Sequence, residues 1–132
     1  MNKKILIAAS ILGIISIILG AFGAHGLKAL ISVESIQTFE TGVRYQMYHA
    51  ILLLFVGNSL LVTQKTKRLI FYFVLIGVIF FSGSIYGLAT NILTAFDFKT
   101  IAFITPIGGL LLILAWVFLL VDFLKIKSKN DN

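Results

Sequence analysis

The sequence predicts an all-α membrane protein: a four-helix transmembrane bundle, up-down-up-down, with both termini inside. Three observations predict it. Of 132 residues, 59% are hydrophobic and 12% charged, whereas a soluble domain carries about 25% charged residues to cover its surface. The apolar residues come in long blocks, giving a mean hydropathy of +1.05. The basic residues, finally, are sorted between the ends of those blocks in a way that orients a membrane protein.

A bilayer core roughly 30 Å thick takes about 20 apolar residues in a helix. The blocks Ile5–Ala24, Tyr45–Val62, Leu69–Ala89 and Ile101–Phe123 fit that length, and Asp122 is the one charged residue inside them, histidine counted as neutral. The connections are too short for a second domain, so residues 1–132 are expected to form one.

The first block follows Asn2-Lys3-Lys4 and contains Ala21-Phe22-Gly23, which resembles a signal-peptide cleavage site. Its apolar run exceeds the roughly 7–15 residues of such a peptide, so the segment is expected to be retained. Ala9, Gly13, Ser16, Gly20 and Ala24 fall on one helix face, where small residues let another backbone approach closely. Gly26 then suits a left-handed helix terminus.

Residues 27–44 form an amphipathic connection on the outer side. Leu27, Leu30 and Ile31 predict a short interfacial turn. Ile36, Phe39, Val43 and Met47 continue at helical spacing, so a helix starts near Ser32 with Glu34 in its first turn and runs on into span two. Glu40 and Arg44 stand at i,i+4 in the favourable order, and Tyr45 and Tyr48 fall where an aromatic belt belongs.

Span three carries Gly83 and Gly87 as a GxxxG pair, with Ser82, Ser84 and Tyr86 read as interhelical hydrogen-bonding groups rather than nucleophiles. In span four, Pro106 is expected to free the carbonyl of Ala102 and kink the helix. Gly13, Gly20, Gly83, Gly87, Pro106 and Gly109 are thus the predicted packing positions. Asp122 is expected to meet Lys125 or the basic 65–68 stretch, and Trp116 to pack or anchor.

The net charge of +6 would suit nucleic acid, but its distribution argues otherwise. Lys3, Lys4, Lys65, Lys67, Arg68, Lys125, Lys127 and Lys129 all fall on one side of a four-span chain. The other side holds Lys28, Arg44 and Lys99 against Glu34, Glu40 and Asp97. This is an orientation signal that places the termini in the cytoplasm, with anionic headgroups as natural company.

The candidate site is an outward-facing polar corner of His25, Glu40, Arg44, Tyr45, Tyr48 and His49, capped by the Leu27–Ser35 turn. It would take a lipid headgroup or a small polar ligand. The competing reading has the two imidazoles lock the corner between helices one and two. Two histidines and a glutamate are zinc-capable types, but no pair has diagnostic spacing and there is no cysteine. No metal, cofactor or catalytic residue is expected, and there is neither an HExxH nor a phosphate-binding glycine loop. The central thirds of the spans hold no ionisable group, which argues against an ion-driven antiporter.

Four stretches taken together, 20-GAFGAHGL-27, 39-FETGVRYQMYHA-50, 81-FSGSIYG-87 and 104-ITPIGGLLLILAW-116, carry a resemblance to the bacterial domain-of-unknown-function 423 family of small inner-membrane proteins. The likeness covers the whole chain, with the motifs in the expected order. It implies four transmembrane helices and a plasma-membrane location, and it supplies no activity, cofactor or catalytic residue. The functional expectation is a non-enzymatic binding or accessory protein for a lipid, a membrane-protein partner or a second copy of itself. A small oligomeric transporter or channel, or a lipid-acting enzyme using His25 or His49 as base, are the alternatives.

Overall fold

The computed structural model describes residues 1–127; Lys129, one of the basic residues above, lies outside them. Helix α1 spans Asn2–Ala24, α2 Val33–Asn58, α3 Gln64–Val78, α4 Ser84–Ala89 and α5 Ile104–Leu124. A π-helical turn, Ile79–Gly83, joins α3 to α4 in one continuous rod. Short 3-10 turns at Leu27–Ala29, Asn91–Leu93 and Phe98–Ile101 complete the connections. No strand occurs among the described residues.

Three stretches are long and apolar enough to cross a membrane: Asn2–Ala29, Gln64–Ala89 and Ile104–Leu124. The fourth expected span is not among them. Helix α2 has the length, but Glu34, Glu40, Arg44, Gln46 and His49 dilute its apolar character.

Local chemistry sets the boundaries. Ser32 starts α2, its Oγ accepting the Ser35 N–H at 3.1 Å. Thr63 does the same for α3 through the Thr66 N–H at 3.3 Å. Helix α2 therefore ends at Asn58 rather than Val62, and Lys65, Lys67 and Arg68 lie in the opening turns of α3 rather than in a loop. Cations are unfavourable there, and α3 has no acidic residue of its own in its first turn. Asp122 supplies the missing negative group from α5. It accepts from the Thr63 N–H at 2.8 Å, the Thr63 hydroxyl at 3.1 Å and the Thr66 hydroxyl at 2.8 Å. Its hydrogen-bond partners are thus Thr63 and Thr66, the latter within the expected 65–68 stretch, and the expected Lys125 adds an electrostatic attraction.

Two further expectations are corrected. Gly26 is right-handed, at φ −64° and ψ −46°, and no described glycine has positive φ; a 3-10 turn continues the chain without a left-handed cap. Pro106 does not kink α5, because the helix begins at Ile104. Proline sits in its first turn, where the missing N–H costs nothing, and the Ala102 carbonyl accepts the Thr105 N–H at 3.2 Å.

Cross-helix contacts show two antiparallel pairs, α1 with α2 and the α3–α4 rod with α5. Gly23 meets Phe39, Gly20 meets Val43 and Gly57 meets Leu6 along the α1–α2 pair. Gly77 meets Leu112 and Gly87 meets Phe98 along the other pair. The two hairpins join chiefly where α2 lies on the α3–α4 rod. The end that holds the N-terminus, the Ser59–Thr63 turn and the close of α5 is sealed by a large apolar cluster including Ile5, Leu53, Val56, Ile70, Val74 and Ala115. At the opposite end, Leu27, Phe39 and Ala89 form a small one.

The closest helix approaches lie elsewhere than most of the predicted glycines. A Cβ at Gly13 or Gly83 would meet open space, and at Gly20 or Gly109 only ordinary contacts of 3.5 Å. Gly87 is tight against Phe98. At Gly108 a Cβ would fall under 3 Å from backbone atoms of Phe80 and Phe81, so α5 leans directly on the π turn.

Candidate functional site: a polar middle layer and an aromatic groove

Between the two apolar clusters, α2 turns one face inward that carries Gly42, Gln46 and His49. Gly42 has no side chain, so the Tyr86 ring of α4 lies against its backbone, where a Cβ would come within 2.7 Å of Cε1. The bared Gly42 carbonyl accepts the Ser82 hydroxyl at 2.7 Å. The Tyr86 hydroxyl donates to Gln46 Oε1 at 2.7 Å, and Gln46 Nε2 donates to the Leu12 carbonyl at 2.9 Å. Ser16 Oγ donates to that same carbonyl at 2.8 Å. One network thus ties α1, α2 and α4 at mid-height. Ser84 reaches the other way, to the hydroxyl of Thr105 at the start of α5.

His49 is 4% exposed. Its Nδ1 stands 2.7 Å from the Tyr45 carbonyl, which can only accept, so Nδ1 carries a proton. Its Nε2 receives the Trp116 indole N–H at 3.2 Å, which can only donate, so Nε2 is bare. The imidazole is therefore neutral, in one tautomer, with both nitrogens engaged. Trp116 lies in the C-terminal half of α5, so His49 sits deep in the molecule rather than at the end where α1 closes on His25.

Beside this pair, α2 and α5 leave an open groove. One hollow of about 420 Å³ is lined by Tyr45, Tyr48, His49, Ile51 and Trp116. A second, of about 300 Å³, runs past Phe81, Gly109 and Ile113 and shares Tyr45, His49 and Trp116 with the first. Tyr45 packs edgewise on Tyr48 at 5.6 Å between ring centres and on Phe81 at 5.0 Å.

Of the six predicted corner residues, the structure brings together Tyr45, Tyr48 and His49. His25 is exposed at the end of α1. Glu40 and Arg44 are also exposed, and Arg44 donates to Thr41 Oγ1 at 3.2 Å rather than to Glu40. Glu40 instead borders a separate hollow with Lys28 and Gln37. Among the described residues, no three His, Cys, Asp or Glu side chains gather to hold a metal. Sequence reasoning missed Gln46 and Gly42 and gave Trp116 only a packing or anchoring role. A glutamine inside the Tyr45–Val62 block was the available signal, since a buried amide demands partners.

Residues 19–109 match a family model described as a protein of unknown function (DUF423). That stretch contains Gly42, Gln46, Ser82 and Tyr86 of the middle network; Leu12 and Ser16 lie before it. The chain belongs to this family. It is similar to a UPF0382 membrane protein of Haemophilus influenzae, 38% identical over 97% of this chain and 99% of the relative. It is also similar to the UPF0382 inner membrane protein YgdD of Escherichia coli K12, 34% identical over 98% of this chain and 95% of that one. A UPF0382 membrane protein of Staphylococcus haemolyticus is 36% identical over 93% of this chain and 97% of its own length. No solved structure matches the chain. With three apolar helices of spanning length and relatives named as inner membrane proteins, this DUF423 chain is a multi-pass protein of the bacterial inner membrane.

Proposed function

We propose that the chain crosses the inner membrane four times, both termini on the cytoplasmic face, as a non-enzymatic binding protein that holds a lipid chain in the groove between α2 and α5. The fourth crossing is α2. It runs antiparallel along α1, and its mid-helix polar groups, Gln46 and His49, are spent on partners inside the protein. A helix satisfied in this way tolerates lipid around it. Orientation follows from the clustering of Lys3, Lys4, Lys65, Arg68, Lys125 and Lys127 at one end of the molecule.

The observation that carries the binding role is the state of His49. With one nitrogen giving to Tyr45 and the other taking from Trp116, the ring has no lone pair free for a substrate proton. It acts as a fixed wall of the groove. That wall is aromatic and opens sideways, and the Tyr45 and Tyr48 hydroxyls beside it have no hydrogen-bond partner among the described residues. This combination suits an amphiphile with its chain in the groove. A partner helix about 10 Å across would need a longer trough than two short hollows. A transport path would need polar groups open to water, whereas Gln46, Tyr86, Ser82 and Ser16 close on one another.

Trp116 is the single tryptophan and lies in the groove, so it reports occupancy. Purified protein stripped of lipid should show saturable quenching of Trp116 emission when titrated in detergent with a phospholipid brominated on its acyl chains. Tyr45→Ala/Tyr48→Ala should weaken the saturable component about tenfold, the equivalent of about 1.4 kcal/mol. Quenching that rises linearly, the same in both proteins, would mean bulk collision and would sink the groove as a site.

A further inference from the structure

A second lipid-facing feature lies at the opposite end of α5, where the Ser59–Thr63 turn meets the helix terminus. A cleft of about 460 Å³ opens there between α3 and α5. Its rim carries Lys65 and Lys125, and its floor Leu69, Val117, Phe118 and Val121. The apolar floor belongs to two helices long enough to span a membrane, so it continues into the hydrocarbon from the level of the lysines.

Among the described residues, Asp122 is the only carboxylate at this end; it lines the cleft beside Lys125, together with Thr63 and Thr66. Its oxygens are taken up by the Thr63 N–H and the Thr63 and Thr66 hydroxyls. Lys67, one turn in, is 2% exposed and points away to Asn2 Oδ1 at 3.2 Å. The rim lysines are exposed. The cleft therefore sets two exposed ammonium groups against one carboxylate already hydrogen-bonded to threonines, a net positive rim above an apolar floor.

We infer that this cleft is a site for one anionic phospholipid, its phosphate between Lys65 and Lys125 and an acyl chain along Leu69, Val117, Phe118 and Val121. Basic recesses between helices at the cytoplasmic surface suit such headgroups. Free phosphate would gain only the lysines, which water and salt screen; the chain on the apolar floor is what makes a lipid the fitting occupant. The inference does not depend on the α2–α5 groove, because the two sites share no residue.

Thermal unfolding of the purified protein in an uncharged detergent, titrated with phosphatidylglycerol, tests it. Phosphatidylglycerol should raise the midpoint saturably, and phosphatidylcholine should not. Lys65→Gln/Lys125→Gln should lose about tenfold or more in apparent affinity, from roughly a fivefold contribution per lysine. Its melting without lipid, set beside wild type, confirms the fold. Lys3→Gln/Lys4→Gln removes the same charge from the same end outside the cleft and should stay within about twofold of wild type. Equal losses in the two double variants would reduce the effect to diffuse charge and overturn the site. So would equal stabilisation by phosphatidylcholine, or a matching effect of inorganic phosphate alone.

Discussion

His25 closes α1 in an exposed position, while His49 is buried with both ring nitrogens engaged. The same contrast runs through their surroundings. At the corner between α1 and α2, Glu40 and Arg44 are neighbours on one helix and do not pair, and Arg44 settles on Thr41. In the middle layer, Gln46, Tyr86, Ser82 and Ser16 come from three different helical segments and all find partners. Water can satisfy a polar group at the corner, so nothing compels pairing there. In the middle Ser16, Gln46 and Ser82 are buried, and an unpaired group there costs several kcal/mol. Depth, rather than residue type, decides which polar residues in this molecule are structural commitments.

The largest test of that contrast uses glycines. Gly108→Ala places a methyl group against the backbone of Phe80 and Phe81, which cannot move aside as a side chain can. The α3–α5 pair must separate, and we expect a loss of about 3 kcal/mol. Gly13→Ala, where nothing lies within 4 Å, should be neutral or stabilising by up to about 1 kcal/mol, since alanine favours a helix. Chemical unfolding in mixed detergent micelles measures both. Similar losses at the two positions would remove the distinction between outward and inward glycines.

These glycines also show what could be read from the sequence. Helix type, three spanning segments, the Ser32 start of α2 and the continuous run from there into the apolar half of α2 follow from hydropathy and capping, which are local properties. The choice among glycines is not local. Gly13 and Gly83 sit in small-residue patterns as good as any, yet both face outward, while Gly108 matters because a π turn on another helix brings backbone to it. His49 illustrates the same limit. Its helical spacing to Tyr45 was legible, and its depth was not, because depth depends on how far α2 slides along α1 and α5. Pro106 was misplaced for a simpler reason: starting α5 three residues later than expected turns an interior proline into a first-turn one.

The next effects in size come from the hydrogen-bonded layer. Gln46→Leu strands the Tyr86 hydroxyl in the interior and should cost about 2 kcal/mol. Tyr86→Phe should cost less, because buried Gln46 keeps its bond to the Leu12 carbonyl. The double-mutant cycle should return a coupling of about 0.6–1.7 kcal/mol, the range for interhelical bonds in membranes; a coupling near zero would mean that the contact does not stabilise the fold. His49→Ala removes the acceptor of the Trp116 indole and should cost about 1 kcal/mol with a shift of the tryptophan emission maximum. His25→Ala should leave both the emission and the stability unchanged. An emission shift from His25→Ala would place that imidazole far closer to the groove than the structure does.

The smallest expected effect is the most direct test of the corner between α1 and α2. Glu40 and Arg44 have the spacing of a helical ion pair, which contributes about 0.3–0.5 kcal/mol when formed at a surface. Here both side chains are exposed and Arg44 donates to Thr41 Oγ1 at 3.2 Å. Glu40→Gln should therefore change stability by less than about 0.3 kcal/mol, and the change should not vary between low and high salt. Thr41→Val should have the greater consequence of the two, by removing the oxygen on which the guanidinium rests. A salt-dependent loss in Glu40→Gln would show the carboxylate engaged after all, and the corner would then share the cooperative character that the contrast reserves for the middle layer.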